Sequence, residues 1–397
     1  MSSLSAQVRS WFEEGSPLAE RLPGFEVRPE QAELAQVIAR KLEEGEPLVA
    51  EAGTGVGKSF AYLLPALLHA TETGKKVIVS TRTKALQEQL DRKDLPFLQA
   101  VLGREFTWAM GVGRNNYLCL RRLERAGKEA SQLFSDIEHW EQLRQIQEWA
   151  GSGETEGRSS ELPFVPDGKV WSEVQAEQGN CLGKECRFFD PCYWQRGRRR
   201  MRTAQLLIVN HALYFADLAL RLRGAAYLPD HDLVIFDEGH HVEEIAGEAL
   251  GLRFSPAMIE WQLSRLYSKS GRSGLLVRRE LPQLAPLVFD LREAVQRYWI
   301  HIAEIFSSLG GDREGGSVRF FEPIHDGITP HLMRLVDGLR EEAPALSMEG
   351  KLELESKADR IEELSMIARS FSTDADEGEV RWMERARKQL TLRMAPI

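Results

Sequence analysis

The sequence predicts an α/β protein built on a doubly wound parallel sheet, and three observations lead there. The apolar run 47–50 breaks into Gly53-Thr54-Gly55-Val56-Gly57-Lys58-Ser59, and residues 60–69 continue with helix-compatible side chains. Strand-like runs at 75–83, 106–112, 206–210 and 233–236 then alternate with helical patterns, as a parallel sheet with crossover helices requires. The polar residues that stand out (the glycine-rich turn, Thr81-Arg82-Thr83, Asn210-His211 and Asp237-Glu238) follow strand runs, and open parallel sheets bind ligands at the carboxyl ends of their strands.

Residues 2–14 read as a short amphipathic helix with Leu4, Val8, Trp11 and Phe12 on one side. An extended segment ending in Arg28-Pro29 opens the next helix. Proline suits a first helical turn, so this is a cap, or else Arg28 and Gln31 read an adenine ring beside the turn. Strand 47–50, the turn and the helix after it make a phosphate cradle. Glycines let backbone N–H groups face inward, and the helix N-terminus adds positive potential. Within Gly53, Thr54, Gly55, Val56, Gly57, Lys58 and Ser59, the lysine would reach the β- and γ-phosphates of ATP and the serine hydroxyl would ligate Mg2+. Position 52, where the strict pattern wants glycine, holds Ala52.

Asp237-Glu238-Gly239-His240 follows the apolar run LVIF. An acid at such a strand end holds Mg2+ through its water shell, here Asp237, and Glu238 beside it can polarise a water in line with the γ-phosphate. Asp-Glu-Gly is also an ordinary strand-end and cap sequence. It is the pairing with the cradle that points to nucleotide hydrolysis.

Roughly ninety residues, 113–204, separate the third and fourth strand runs, far more than a connection needs, so a domain is inserted there. It holds all four cysteines, Cys119, Cys181, Cys186 and Cys192, the last three spaced C-x4-C-x5-C. Converging thiolates in a cytoplasmic chain read as a metal site. Without the close C-x2-C pairs of a zinc ribbon, a 4Fe-4S cluster fits better than zinc. The chain carries 51 basic and 60 acidic residues, a net charge of −9, so any nucleic-acid surface must be local. Between Cys181 and Asn210 the basic residues Lys184, Arg187, Arg196, Arg198, Arg199, Arg200 and Arg202 interleave with Phe188, Phe189, Tyr193 and Trp194. That is a candidate single-strand surface, unless the aromatics bury the cysteine region and the arginines are merely solvated. Residues 151–160 read as a flexible loop. From about residue 252 helical patterns dominate, at 256–269, 283–309, 324–342 and 348–372, and alternation at 379–395 predicts a terminal hairpin.

The composition, 43% hydrophobic and 28% charged over 397 residues, is that of a globular protein of two or three domains. The apolar run 60–70 is too short to span a bilayer and contains Pro65, and residues 1–15 lack the apolar core of a signal peptide. The expectation is a cytoplasmic monomer with no membrane partner.

EAGTGVGKS, VSTRTKALQEQL, GVGRNNYLC, C-x4-C-x5-C, VNHALYFADL and DEGHH occur in that order. Together they resemble the N-terminal part of a DinG-type helicase of superfamily two, the group that includes the XPD helicases. In that family Ala52 is a usual first cradle residue, and Gly239 replaces the alanine of Asp-Glu-Ala-His. The resemblance implies a RecA-like ATP-binding domain (1–113 and 203–250), an inserted iron–sulfur domain (114–202) and a helical arch (251–397). It implies that Gln31 reads adenine and that His240 couples nucleotide state to DNA. It makes Thr81, Arg82 and Thr83 DNA-backbone contacts, with Arg114, Tyr193, Arg196, Asn210 and His211 as further DNA candidates. The implied activity is ATP-driven 5′→3′ translocation on single-stranded or forked DNA in repair. No exonuclease segment precedes the motifs, and no second RecA-like domain with arginine fingers follows them. The sequence is therefore expected to be a fragment, or a split form completed by another polypeptide, turning ATP over poorly. The alternatives are an ATP- and DNA-binding module without unwinding, and a metabolic ATPase indifferent to DNA.

Overall fold

The computed structural model describes residues 3–53, 55–134, 136–312, 316–386 and 389–396. They form two compact units, one of residues 1–113 and 196–246, the other of residues 114–195 and 247–397.

The first unit is built on a parallel sheet. Strands β1 (Val77–Thr81), β2 (Trp108–Met110), β3 (Leu206–Asn210) and β4 (Leu233–Phe236) lie in the order β2-β3-β1-β4. Val77 is opposite Leu206 on one side and Leu233 on the other, which brings Thr81 level with Asn210 and Ser80 level with Phe236. Every residue of β1 is buried, which is why the run is apolar and β-branched rather than alternating. The helix Lys58–Thr73 and the helix Leu4–Ser10 pack into the same core, through Leu63, Leu64 and Leu67 from one and Leu4 and Val8 from the other.

One expected strand is missing from this sheet. Residues 46–50 form no strand, Leu48 is 37% exposed and Val49 is wholly exposed. A four-residue run has few ladder bonds to offer, and Pro47 removes one of its donors. The cradle therefore follows an extended segment that no described strand pairs.

The second unit joins the cysteine-bearing segment to the C-terminal residues. Its long helices are Pro256–Leu266, Ala285–Ser308, Thr329–Glu342 and Met348–Ser370, near the expected bounds. The expected hairpin is β7 (Glu379–Ala386) with β8 (Gln389–Pro396). It is extended by β5 (Leu252–Phe254) and β6 (Ser317–Arg319) into an antiparallel sheet ordered β5-β8-β7-β6. Alternation put Met383, Leu392 and Met394 on the buried face, where they meet Phe254, Phe306 and Phe371.

The 151–160 segment is not a loose loop. Arg158 is buried, bridges Tyr117 and pairs with Glu161, and Leu118 N donates to Gly157 O at 2.8 Å. Beside it the helix Leu120–Lys128 carries three arginines inward. Arg121, Arg122 and Arg125 are all buried, meeting Asn180, Glu177 and Glu173 from their own segment and Glu349 and Glu353 from the C-terminal one. Lys357, from the same C-terminal helix, reaches Glu177 at 3.2 Å. Burial alone would raise Glu173, yet Arg125, Arg278 and Arg265 hold it down at about 2. Arg122 and Lys357 do the same for Glu177.

Candidate nucleotide and nucleic-acid site

The cradle's shape depends on glycines in left-handed conformation. Gly55 has φ +86° and Gly57 φ +82°, and Gly57 caps the helix that begins at Lys58. Gln31 lies against this turn and is buried. Its Nε2 donates to Gly57 O at 2.7 Å, and a Cβ built on Gly57 would come within 2.2 Å of that nitrogen. Arg28 donates to Gly55 O from the other side. Lys58 Nζ lies 3.2 Å from Ala52 O and closes the loop on itself. Gly53 and Val56 complete the described cradle; Thr54 lies outside the described residues.

Asp237 is tied to the helix that carries Ser59 by a residue that the sequence reading passed over. Tyr62 stands one helical turn after Ser59 on the same helix face and donates to Asp237 Oδ2 at 3.1 Å. Burial and the Asp237 charge push the Tyr62 phenol well above its usual range, so it remains a donor. The Ser59 hydroxyl and the Asp237 carboxylate are hard oxygen donors of the kind a Mg2+ ion and its waters take.

The rest of the strand end is equally well determined. Asp237 N donates to Ser80 O at 2.9 Å. Glu238 sits at φ +60°, ψ +48°, a left-handed backbone rarely adopted by a side chain of this size, and opens the turn Gly239–His241. His240 is exposed with its ring 3.9 Å from that of His241. It is His241 that reaches Arg82, with Nε2 2.6 Å from the guanidinium. Partial desolvation and the Arg82 charge hold His241 below the usual imidazole range.

Three expected DNA contacts are not on the surface. Thr81 is fully buried, with Oγ1 turned to Thr83 O at 3.3 Å. His211 is also fully buried, and both ring nitrogens are engaged, Nδ1 with Ser80 Oγ at 2.7 Å and Nε2 with Asp237 O at 3.0 Å. Burial lowers its pKa and favours the neutral ring. Tyr193 is buried, lying over Gly157 with its hydroxyl 3.3 Å from Ala150 O. Trp194 is buried too, packed on Tyr117 and under the Arg114 guanidinium. Both rings are thus packed against protein rather than open to a base. Thr83 and Asn210 act as helix caps, Thr83 Oγ1 accepting from Leu86 N and Asn210 Oδ1 from Leu213 N. Arg82, Arg187, Arg199, Arg200 and Arg202 are exposed, and Arg196 is half-buried.

Cys181 is exposed and the other three cysteines half-buried. Burial pushes the Cys192 thiol up, and nearby Cys119 and Cys181 add to the shift, so three of the four thiols lie within electrostatic reach. Among the described residues, no group of three or more His, Cys, Asp or Glu side chains is arranged to hold a metal ion. Four thiols are donors that an iron–sulfur cluster or zinc could use, but the geometry stops short of a converged ligand set. No helix among the described residues is long and apolar enough to cross a membrane.

Residues 28–126, which include the cradle and β1, match the DEAD/DEAH box helicase family. Over 249 residues, 62% of this chain and 38% of the relative, the chain is 36% identical to the ATP-dependent DNA helicase YoaA of Escherichia coli K12. It is 28% identical to YoaA of Haemophilus influenzae over 98% of this chain and 59% of the relative. It is also 33% identical to the ATP-dependent DNA helicase DinG of E. coli K12 over 63% of this chain and 36% of the relative. The chain thus spans between about a third and three fifths of the length of these relatives. A solved structure titled "Truncated XPD" aligns with 91% of this chain and 85% of its own at 16% identity, with a TM-score of 0.40. Residues 28–126 thus carry the DEAD/DEAH box helicase match, and the chain is similar in sequence to the DinG and YoaA helicases.

Proposed function

We propose that this chain binds and hydrolyses ATP as the motor part of a DNA helicase of the DinG type, moving 5′→3′ on single-stranded or forked DNA during repair in the cytoplasm. The observation that carries the reading is the Tyr62–Asp237 hydrogen bond, which ties the helix that the cradle opens to the acidic strand end. Ser59 and Asp237 are the Mg2+ residues, and the cation supplies charge neutralisation to the bound phosphates. Lys58 exchanges the Ala52 carbonyl for the β- and γ-phosphates, with Gly53, Thr54, Gly55, Val56 and Gly57 supplying backbone N–H groups. Glu238 orients the attacking water, and its held left-handed backbone aims the carboxylate before the nucleotide arrives. Gln31 and Arg28 stand on the adenine side of the turn.

DNA contact falls to side chains with exposed charge, Arg82 first, then Arg196 and the arginines around it, while Arg114 braces Trp194. His240 and His241 sit between Glu238 and Arg82, a path from nucleotide state to DNA. Cys119, Cys181, Cys186 and Cys192 would hold a 4Fe-4S cluster, a reading supported by their all-thiol donor chemistry. Residues 114–202 are read as the cluster domain, 251–397 as the arch, and 1–113 with 203–250 as the motor domain.

The test is nucleotide binding and turnover by the purified chain, with and without single-stranded DNA. Lys58→Ala should abolish binding of a fluorescent ATP analogue. Glu238→Gln should still bind it while turnover drops by roughly 10²–10⁴. A wild-type chain that binds no ATP, or whose turnover ignores DNA, would refute the proposal. Binding of both ligands without turnover would reduce the chain to a nucleotide-switched DNA-binding module.

A further inference from the structure

The ends of β1, β3 and β4 converge on one peptide group, the one linking Asp237 to Glu238. Its carbonyl, Asp237 O, is 3.0 Å from His211 Nε2, while the preceding amide, Asp237 N, donates to Ser80 O at 2.9 Å. His211 begins the helix after β3. Asn210 caps that helix, so the imidazole leaves a fixed point. Its other nitrogen is 2.7 Å from Ser80 Oγ, and both His211 and Ser80 are fully buried. A carbonyl can only accept, so Nε2 carries the proton. In the neutral ring Nδ1 then accepts from the Ser80 hydroxyl, and a single tautomer satisfies both partners. Phe236 packs against the same ring, 5.9 Å between centroids.

The residue after this peptide, Glu238, has a left-handed backbone that a glutamate adopts only when its surroundings hold it there. We propose that His211 is a positioning residue: by fixing the Asp237 carbonyl, with Ser80 fixing the imidazole, it sets the peptide plane from which the Asp237 and Glu238 carboxylates depart. Neither His211 nor Ser80 touches nucleotide, water or DNA in this role. The inference rests on the reading of Asp237 as a Mg2+ residue and deepens it.

The measurement is the Mg2+ coupling of nucleotide binding in the full 397-residue chain. It is the ratio of dissociation constants for a slowly hydrolysed fluorescent ATP analogue in EDTA and in Mg2+. His211→Leu should reduce this ratio about tenfold with the EDTA affinity unchanged, because losing one buried hydrogen bond to Asp237 weakens only the Mg2+-dependent part. His211→Gln, whose amide can donate to the same carbonyl, should restore the ratio to within about threefold. Ser80→Ala, a smaller deletion that tests the second link if His211→Leu fails to fold, should fall between. A wild-type ratio in His211→Leu, equal losses in Leu and Gln variants, or an unchanged ratio in Ser80→Ala would overturn the inference. A wild-type chain with no Mg2+ coupling at all would instead sink the assignment of Asp237.

Discussion

A graded glycine series tests the cradle. Gly53, Gly55 and Gly57 look alike in the sequence, yet the structure asks different things of them. Gly53 is not at positive φ and a Cβ there would meet nothing within 4 Å, so Gly53→Ala should be neutral or stabilise by about 0.4–1 kcal/mol through the unfolded chain. Gly55 is at φ +86° in open space, so Gly55→Ala should cost only the left-handed penalty, about 1–2 kcal/mol. Gly57→Ala meets that penalty and also drives Gln31 Nε2 off the Gly57 carbonyl, a hydrogen bond of about 0.5–1.5 kcal/mol, for a total of about 2–3 kcal/mol. Urea unfolding of the three variants gives the order directly, and titration with an ATP analogue should show the same order for affinity. Equal losses at positions 53 and 57, or none at 57, would refute the reasoning from backbone conformation.

Three further outcomes follow from the second unit and the surface. Glu353→Gln leaves Arg125 and Arg279 short of a buried partner and should destabilise by about 3–5 kcal/mol in urea. Glu141→Gln, at an exposed pair with Arg144, should leave the midpoint unmoved. Glu173 and Glu177 titrate near 2 when folded against an ordinary 4.5, so their contribution is complete above 4.5 and is lost as pH falls towards 2. Lys357, lowered to about 8 by burial and Arg265, gives a slope of the same sign in a higher window, because there too the unfolded chain holds the extra proton, and stability should rise between pH 8 and 10.5; denaturation midpoints against pH test both windows. Tyr193→Ala should cost about 3–5 kcal/mol of stability with no selective loss of single-strand affinity, whereas Arg82→Ala should weaken oligonucleotide binding in fluorescence anisotropy and leave stability intact.

What the sequence made legible was what repeats or breaks regularly. β3 and β4 fall on the residues expected, and the C-terminal helices and hairpin lie within a few residues, because their apolar periods are long and their neighbours are turn formers. The cradle's glycines announce a backbone requirement, and Asp237-Glu238 follows a strand. Burial of polar side chains was hidden. His211 and Thr81 look in the sequence like strand-end residues facing a ligand, and only the pairing of β1 with β3 and β4 turns them inward. Tyr193 lies in an arginine-rich stretch that reads as surface, and the ring that fills the space above Gly157 is fixed by a contact thirty-six residues away. Tyr62 could have been found, three residues after Ser59 on one helix face. The helix Leu120–Lys128 has the composition of a solvated basic helix, and nothing local says that its arginines meet carboxylates more than two hundred residues later.

That last pairing has a consequence for the making of the protein. Arg122 and Arg125 leave the ribosome long before Glu353 and Lys357 are synthesised, and at roughly 5–20 residues per second the interval is about 10–50 s. During that time the cysteine-bearing segment lacks part of the charge balance that lets its helix be buried. Its burial is completed only when the helix Met348–Ser370 has been made and brings in Glu349, Glu353 and Lys357. In the cell, then, order of synthesis makes the burial of these arginines wait on a helix made much later.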